Sequence, residues 1–310
     1  MRVSVIMPVE RLEGDAEKAI ASVLNQEAGF DFELIVVSAK PLLLTDVLPA
    51  MTRLSNVVET NRNPATRRNR AVSESTGEIL AFIDDDAVAD RAWLATAVAY
   101  LDARPDVLAL GGPDPAPPDS TLAELVSETL LATPFIGSGI ACHENRPGVF
   151  PVTSASDVAL VNLFVRRTAF HGFDESIGYI GEDTALLESL LPHVVYHGDV
   201  RVFHRRRAFP GPYLRQRWRY RVKTGEMLAR GAASYRRNRK IRAFLAGGTC
   251  AILLAPLVAL PYAVTTLILG ARTTRLPRRW WPILPFAFAA HHLTYYFGIV
   301  WGWGRRVVSD

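Results

Sequence analysis

"AFIDDDAVAD", residues 81–90, closes an apolar run on three adjacent carboxylates. Ile79, Leu80, Phe82 and Ile83 read as a buried strand, and Asp84, Asp85 and Asp86 stand at its end. Like charges this close repel one another, and each is costly to remove from water. One reading is a solvated turn that opens the next helix, with Asp90 capping the run from Arg91, Ala92, Trp93 and Leu94. The other places a cation among the three. The surrounding pattern bears on the choice.

Outward from this point, short apolar runs alternate with helical ones. The pattern predicts strands over 3–9, 32–38, 56–60, 78–84 and 107–112. It predicts helices over 15–27, 64–76 and 91–103, the first with Ala19, Ile20, Val23 and Leu24 on one face and the second stopped by Gly77. Such alternation predicts an α/β fold, Rossmann-like, with a mainly parallel sheet covered by helices. Ligands bind such sheets beyond the carboxyl ends of the strands. Residues 8–10, Ser38 and 84–86 fall there. Asp84 and Asp86 form an Asp-x-Asp pair of hard oxygen donors, suited to Mg²⁺ or Mn²⁺ shared with ligand phosphates.

Net charge is +4 over 310 residues, but it is unevenly spread. Residues 1–200 hold 14 Lys and Arg against 29 Asp and Glu, whereas residues 201–310 hold 21 against 2. The two parts face different surroundings. Cys142 and Cys250 are too few for a disulfide framework. The chain opens on RVSVIMPV rather than a basic-then-apolar leader, so no signal peptide is expected.

Residues 244–270 carry no charge, and 280–304 carry none apart from two histidines, with aromatics at both ends. Each is long enough to cross a hydrocarbon layer of ~30 Å. Basic clusters flank them, at 236–242 and at Arg305 and Arg306, as expected on a cytoplasmic face that attracts anionic lipid. The connecting loop ARTTRLPRR holds four arginines, however. Two full spans would put that loop outside, whereas breaks at Pro256 and Pro261 would make the first segment re-entrant. Two spans are the preferred expectation. A nucleic-acid role for the basic part is not expected, since its charges abut apolar segments.

Several motifs occur in the order of one family. VSVIMPVE with SVLNQ at 22–26, RRNRAVSESTGEILAFIDDD at 67–86, LFVRRTAFHGFDES at 163–176, GEDTALL at 181–187 and QRWRY at 216–220 together resemble the family 2 glycosyltransferases. The resemblance covers about residues 2–225 and implies a GT-A nucleotide-sugar domain. Its donor half is expected over about 1–112 and its acceptor half over about 113–225. A basic membrane-interface segment (226–242), two transmembrane or re-entrant segments (243–304) and a cytoplasmic tail (305–310) are expected to follow. The stretches 108–139 and 152–167 also resemble exopolysaccharide glycosyltransferases of the succinoglycan type.

The resemblance implies roles by position. Asp86 and Asp84 match the metal and nucleotide pair, with Asp86 the direct metal ligand, Asp84 nearer ribose or phosphate, and Asp85 beside them. Asp183 matches the catalytic base, and His204 stands where relatives place a histidine that contacts metal or phosphate. Pro8, Val9 and Glu10 are expected at the base and ribose, and Arg68 within the donor site. Gln216, Arg219 and Tyr220 are expected at the diphosphate or the acceptor, although the same helix also reads as a basic amphipathic face for a membrane surface. Ser38 departs from the family, which usually has Asp there, and SAKPLLLTD replaces the family's turn.

The implied function is a hexosyltransferase-type, inverting, metal-dependent enzyme using Mg²⁺ or Mn²⁺. It would move a sugar from a nucleotide-sugar donor to a lipid-linked (polyprenyl) saccharide acceptor in cell-surface or extracellular polysaccharide assembly. The catalytic domain would lie on the cytoplasmic side of the inner (plasma) membrane, against anionic lipid. The rivals are a polyprenyl-phosphate glycosyl synthase and a non-catalytic nucleotide-sugar-binding scaffold.

Overall fold

The computed structural model describes residues 1–42, 53–177, 181–230 and 239–309. Part of the turn replacement (43–46), part of the basic segment (231–238) and Asp310 of the tail lie outside the described residues. The chain forms two compact units, Met1–Pro117 with Ile140–Arg205, and Pro118–Gly139 with Arg206–Asp310. The boundary expected near 225 falls inside a helix of the second unit.

The first unit is built on an eight-stranded sheet in the order β3-β2-β1-β4-β8-β6-β9-β7. Its strands are β1 (Val3–Pro8), β2 (Phe32–Ser38), β3 (Leu54–Val58), β4 (Ile79–Phe82), β6 (Ala109–Gly111), β7 (Val149–Pro151), β8 (Leu163–Arg166) and β9 (Val194–His197). The β3-β2-β1-β4 half is parallel throughout, and β8 enters antiparallel between β4 and β6. Helices α1 (Asp15–Leu24), α2 (Pro64–Glu74) and α3 (Trp93–Ala103) connect the parallel strands, as the alternation predicts. Apolar side chains from both sheet faces fill two clusters. Ile20, Val23 and Trp93 lie in one, and Ala65, Ala71 and Leu187 in the other.

Local details differ from expectation. β4 stops at Phe82, and the Asp84–Asp86 turn leads into β5 (Ala87–Ala89), which pairs antiparallel with β10 (Val202–His204). Asp90 accepts the Ala92 N–H one turn before α3, whose own N-cap, Ala92, makes no side-chain bond. α2 ends at Glu74 with Ser75 as its C-cap, and Gly77 lies beyond the cap, where a Cβ would meet Ser4 N at 2.5 Å. Among the described residues, the other α-helices of this unit are α5 (Ala141–Glu144) and α6 (Glu182–Leu190).

The second unit is helical: α4 (Leu122–Ala132), α7 (Gly211–Ala229), α8 (Arg239–Leu253), α9 (Ala255–Thr273) and α10 (Leu284–Ser309). Thr121 and Glu124 cap α4 reciprocally. α7 and α10 pack so closely at Gly225 and Gly302 that a Cβ at either would strike the other helix's backbone. The apolar segment 244–270 is not one rod. It breaks at Leu254, just before Pro256, whereas Pro261 is accommodated inside α9. A proline in the first turn loses no helical bond, so Pro256 suits a helix start. Ala255–Thr273 and Arg278–Arg305 are each long and apolar enough to cross a membrane. Leu257 and Leu260 on α9 are about three-quarters exposed, at 75% and 74%.

Candidate active site

The acidic turn lies at the carboxyl end of β4, beside the end of β1. Asp84 is held by α2, because Arg68 Nη2 reaches Asp84 Oδ1 at 2.8 Å. The same guanidinium places Nη1 3.3 Å from Glu182 Oε1, so one buried arginine joins the strand-end aspartate to the start of α6. Its neighbour Arg67 pairs with Glu10 at 2.8 Å, and the Glu10 N–H donates to Asp85 Oδ2 at 3.2 Å. The Asn63 side chain caps α2 at Ala65, aligning the helix whose second turn carries both arginines.

Crowding marks the carboxylates. Burial pushes Asp85 up to about 6, and the charges of Asp86 and Asp84 add to this, while the Glu10 N–H opposes it. Burial also raises Asp183, against the Thr184 N–H and Arg68. Glu182 is raised by burial and by Asp183, with Arg68 opposing. Asp183 Oδ1 accepts the Thr184 N–H at 2.7 Å. Gly181 precedes α6 in a left-handed conformation (φ 103°), open to glycine at little cost.

The other arm of the turn meets β10. Antiparallel pairing sets His204 beside Ala87, and His204 Nε2 lies 3.3 Å from Asp86 Oδ1. On its far side, His204 Nδ1 lies 3.5 Å from Asp114 Oδ2. Asp114 is fully buried, and its Oδ1 is 2.9 Å from His143 Nδ1 on α5. Two donors bonded to one divalent cation at 2.0–2.2 Å on neighbouring vertices stand about 3 Å apart. The Asp86–His204 separation fits that, and carboxylate with imidazole suits Mn²⁺. Asp114, Cys142 and His143 also have donor atoms within 4.8 Å of one another.

The remaining candidates divide. Pro8 ends β1; the Val9 side chain is buried in the core, its N–H donating to Val37 O. The Ser38 hydroxyl is engaged within the chain, donating to Lys40 O at 2.7 Å and accepting from Asn56 at 2.9 Å. Gln216, Arg219 and Tyr220 belong to the second unit, on α7. There a cleft of about 730 Å³ is lined by Arg207, Leu214, Arg215, Gln216, Trp218 and Arg219 among others. Tyr220 does not line that cleft; Arg217 stacks over its ring at 5.0 Å. Sequence reasoning missed Asp114 and His143. Neither stands in a recognisable spacing, and only the pairing of β10 brings them to the acidic turn.

Residues 4–155 match the family model for Glycosyl transferase family 2. That match, over just under half of the chain, makes these residues similar to a family 2 glycosyltransferase domain. Among curated proteins, the glucosyl-dolichyl phosphate glucuronosyltransferase of Haloferax volcanii is 32% identical over 119 residues, 36% of this chain and 38% of that relative's length. This chain thus matches well under half of that relative. Among solved structures, the mannosyltransferase PcManGT of Pyrobaculum calidifontis, in complex with GDP-Man and Mn²⁺, is similar with a TM-score of 0.53 and 20% identity, over 94% of this chain and 86% of that one. TarS 1–349 of S. aureus is similar with a TM-score of 0.51 and 15% identity, over 97% and 90%. These structural likenesses show a GT-A-like fold.

Proposed function

We propose that the protein is an inverting, metal-dependent hexosyltransferase that moves a sugar from a nucleotide-sugar donor to a lipid-linked saccharide acceptor in cell-surface or extracellular polysaccharide assembly. The observation that carries this reading is the junction at Arg68, which holds Asp84 at 2.8 Å and the Glu182 beside Asp183 at 3.3 Å. Donor-side and base-side carboxylates thereby share one fixed cation. Asp86 and His204 are the residues that would hold Mn²⁺ or Mg²⁺, with Asp84 and Asp85 beside them. When bound, the cation neutralises charge developing on the diphosphate leaving group.

Asp183 takes the proton from the acceptor hydroxyl. That oxygen bonds to the anomeric carbon as the carbon–oxygen bond to the diphosphate breaks, its electron pair leaving with the phosphate. One displacement inverts the anomeric configuration. The raised pKa of Asp183 suits a base, since a less acidic carboxylate binds a proton more firmly. Arg67 and Glu10 hold the β1 end, next to the expected ribose and base contacts. Arg207, with Arg215 and Arg219 on α7, surrounds an apolar and aromatic cleft that suits a phosphate joined to a lipid chain. The name of the Haloferax relative fits a saccharide carried on a lipid phosphate. The two apolar helices fit attachment to the inner (plasma) membrane with the catalytic unit in the cytoplasm, the basic part lying against anionic lipid.

The test is binding of UDP, GDP and dTDP to purified protein with and without Mn²⁺, beside an Asp86→Ala variant. The expected result is metal-dependent binding of one nucleotide, lost in the variant; binding of none overturns the donor-site reading. Transfer to bare polyprenyl phosphate rather than to a lipid-linked saccharide would favour a polyprenyl-phosphate glycosyl synthase.

A further inference from the structure

We propose that Asp114 is the positioning residue for His204, holding its ring with the proton on Nδ1 so that Nε2 is presented with Asp86 as a metal donor. The inference rests on the metal reading of Asp86 and His204 given above. It adds a residue outside the motifs that carry the family resemblance, and it explains a buried carboxylate that the mechanism does not use.

The placement begins in the backbone. β10 runs between two neighbours: β5 on one edge, through the His204–Ala87 register, and the extended segment after β6 on the other. Along that second edge the Val202 N–H donates to Pro113 O at 3.2 Å and the His204 N–H to Pro115 O at 2.9 Å. His204 is therefore flanked by residue 86 on one side and residue 114 on the other. Buried Asn162 ties the segment down, donating to Pro113 O at 3.1 Å and to Val200 O at 2.7 Å, while its own oxygen accepts from Trp93 Nε1 at 2.9 Å. Gly112 fits only as glycine, since a Cβ there would strike Val200 O. The Asp114 N–H donates to Cys142 O at 3.2 Å, joining the segment to α5.

The side chains follow from that frame. Asp114 has two carboxylate oxygens, and each faces an imidazole nitrogen: Oδ1 faces His143 Nδ1 at 2.9 Å, and Oδ2 faces His204 Nδ1 at 3.5 Å. The carboxylate side chain is 1% exposed, whereas His204 and Asp86 are about one-quarter exposed, at 24% and 26%. The buried member is thus the anchor and the part-exposed pair is the end open to a ligand. Asp114 and Asp86 both only accept, so each faces a ring nitrogen that can carry the proton; a cation on Nε2 leaves that proton on Nδ1, toward Asp114. Its Nε2 is then a lone pair, facing Asp86 Oδ1 at 3.3 Å. A carboxylate behind a metal-binding histidine fixes tautomer and ring orientation and raises ligand basicity. His143, bonded to the other oxygen, restrains the rotation of the carboxylate.

The experiment uses the full-length protein in detergent. Mn²⁺ binding is measured by calorimetry for the parent and for Asp86→Ala, His204→Ala and Asp114→Asn, each with its thermal unfolding curve. The ring nitrogens of ¹⁵N-histidine-labelled parent saturated with Mg²⁺ are followed by NMR at a fixed neutral pH. Asp114→Asn is expected to weaken Mn²⁺ about 10–100-fold, the usual effect of losing an outer partner. Metal-free unfolding is expected to stay near the parent's, because Asn retains an oxygen for His143. The parent's His204 is expected with its proton on Nδ1. An Nε2–H tautomer in the parent overturns the proposal whether or not any variant folds. So does Mn²⁺ affinity within twofold of the parent in Asp114→Asn when Asp86→Ala and His204→Ala have lost it. If Asp86→Ala and His204→Ala bind Mn²⁺ like the parent, the metal reading itself falls, and this inference with it.

Discussion

Asp84 and Asp86 are two residues apart on one turn, yet the chain treats them differently. Asp84 meets a fixed cation, Arg68, which also serves Glu182. Asp86 meets an imidazole backed by a buried carboxylate. A guanidinium settles a charge permanently, because it does not deprotonate in proteins. An imidazole supplies a neutral nitrogen that a metal can use. On the proposed reading, the first arm is structural wiring between donor and base sides, and the second is an exchangeable site. Two carboxylates of one motif acquire separate duties from their partners rather than from their order.

Four outcomes would break or sharpen this contrast. The largest concerns the base that the Arg68 junction adjoins: Asp183→Asn is expected to lower kcat about 10³-fold while leaving donor binding within a few-fold. A variant that turns over like the parent would remove Asp183 from the chemistry. Next, Asp86→Ala is expected to weaken Mn²⁺ by at least about 100-fold, and Asp84→Ala by tenfold or less. Reversal of that ranking in a calorimetric titration would invert the assignment of the two arms.

Arg68→Met tests the wiring itself, since it leaves Glu182 buried without its guanidinium. Breaking a buried pair costs ~3–5 kcal/mol, and the part-exposed Asp84 side reduces this, so a loss of about 2–3 kcal/mol is expected in denaturant unfolding. His204→Ala is expected to change stability by under about 1 kcal/mol, as a part-exposed position does. Equal losses would erase the distinction. The smallest effect is on pH. Burial holds the Asp183 pKa above its ordinary value, so the acid remains protonated further up the scale and activity rises only as pH passes the raised pKa. The acidic limb of kcat/KM is expected above ~4, the ordinary carboxylate value, and a limb at that value would contradict a base held above it.

Much of this was legible in the chain. Strands at 3–8 and 32–38 appear where alternating and continuous apolar runs place them, because their residues bury against helices with regular faces. Asp84, Asp86 and Asp183 stand out because acids after apolar runs, or at a helix start, are conspicuous in one dimension. Arg68 is legible as a candidate, but its double pairing is not. Glu182 lies 114 residues away, and no local pattern encodes which buried acid an arginine reaches. A break in the first apolar segment was legible in its two prolines, but not which of them marks it; only Pro256 falls where a helix starts, just after Leu254.

The sequence by itself determined the alternating α/β order, the acidic and basic division of the chain and the strand-end Asp-x-Asp. These depend on local periodicity, charge and neighbour spacing, which a one-dimensional pattern carries. Tertiary structure alone decided that β10 pairs with β5, that Asp114 and His143 stand behind His204, and that Arg68 serves two acids at once. Those contacts join segments tens of residues apart. They arise because buried polar groups must find partners wherever sheet registry brings them.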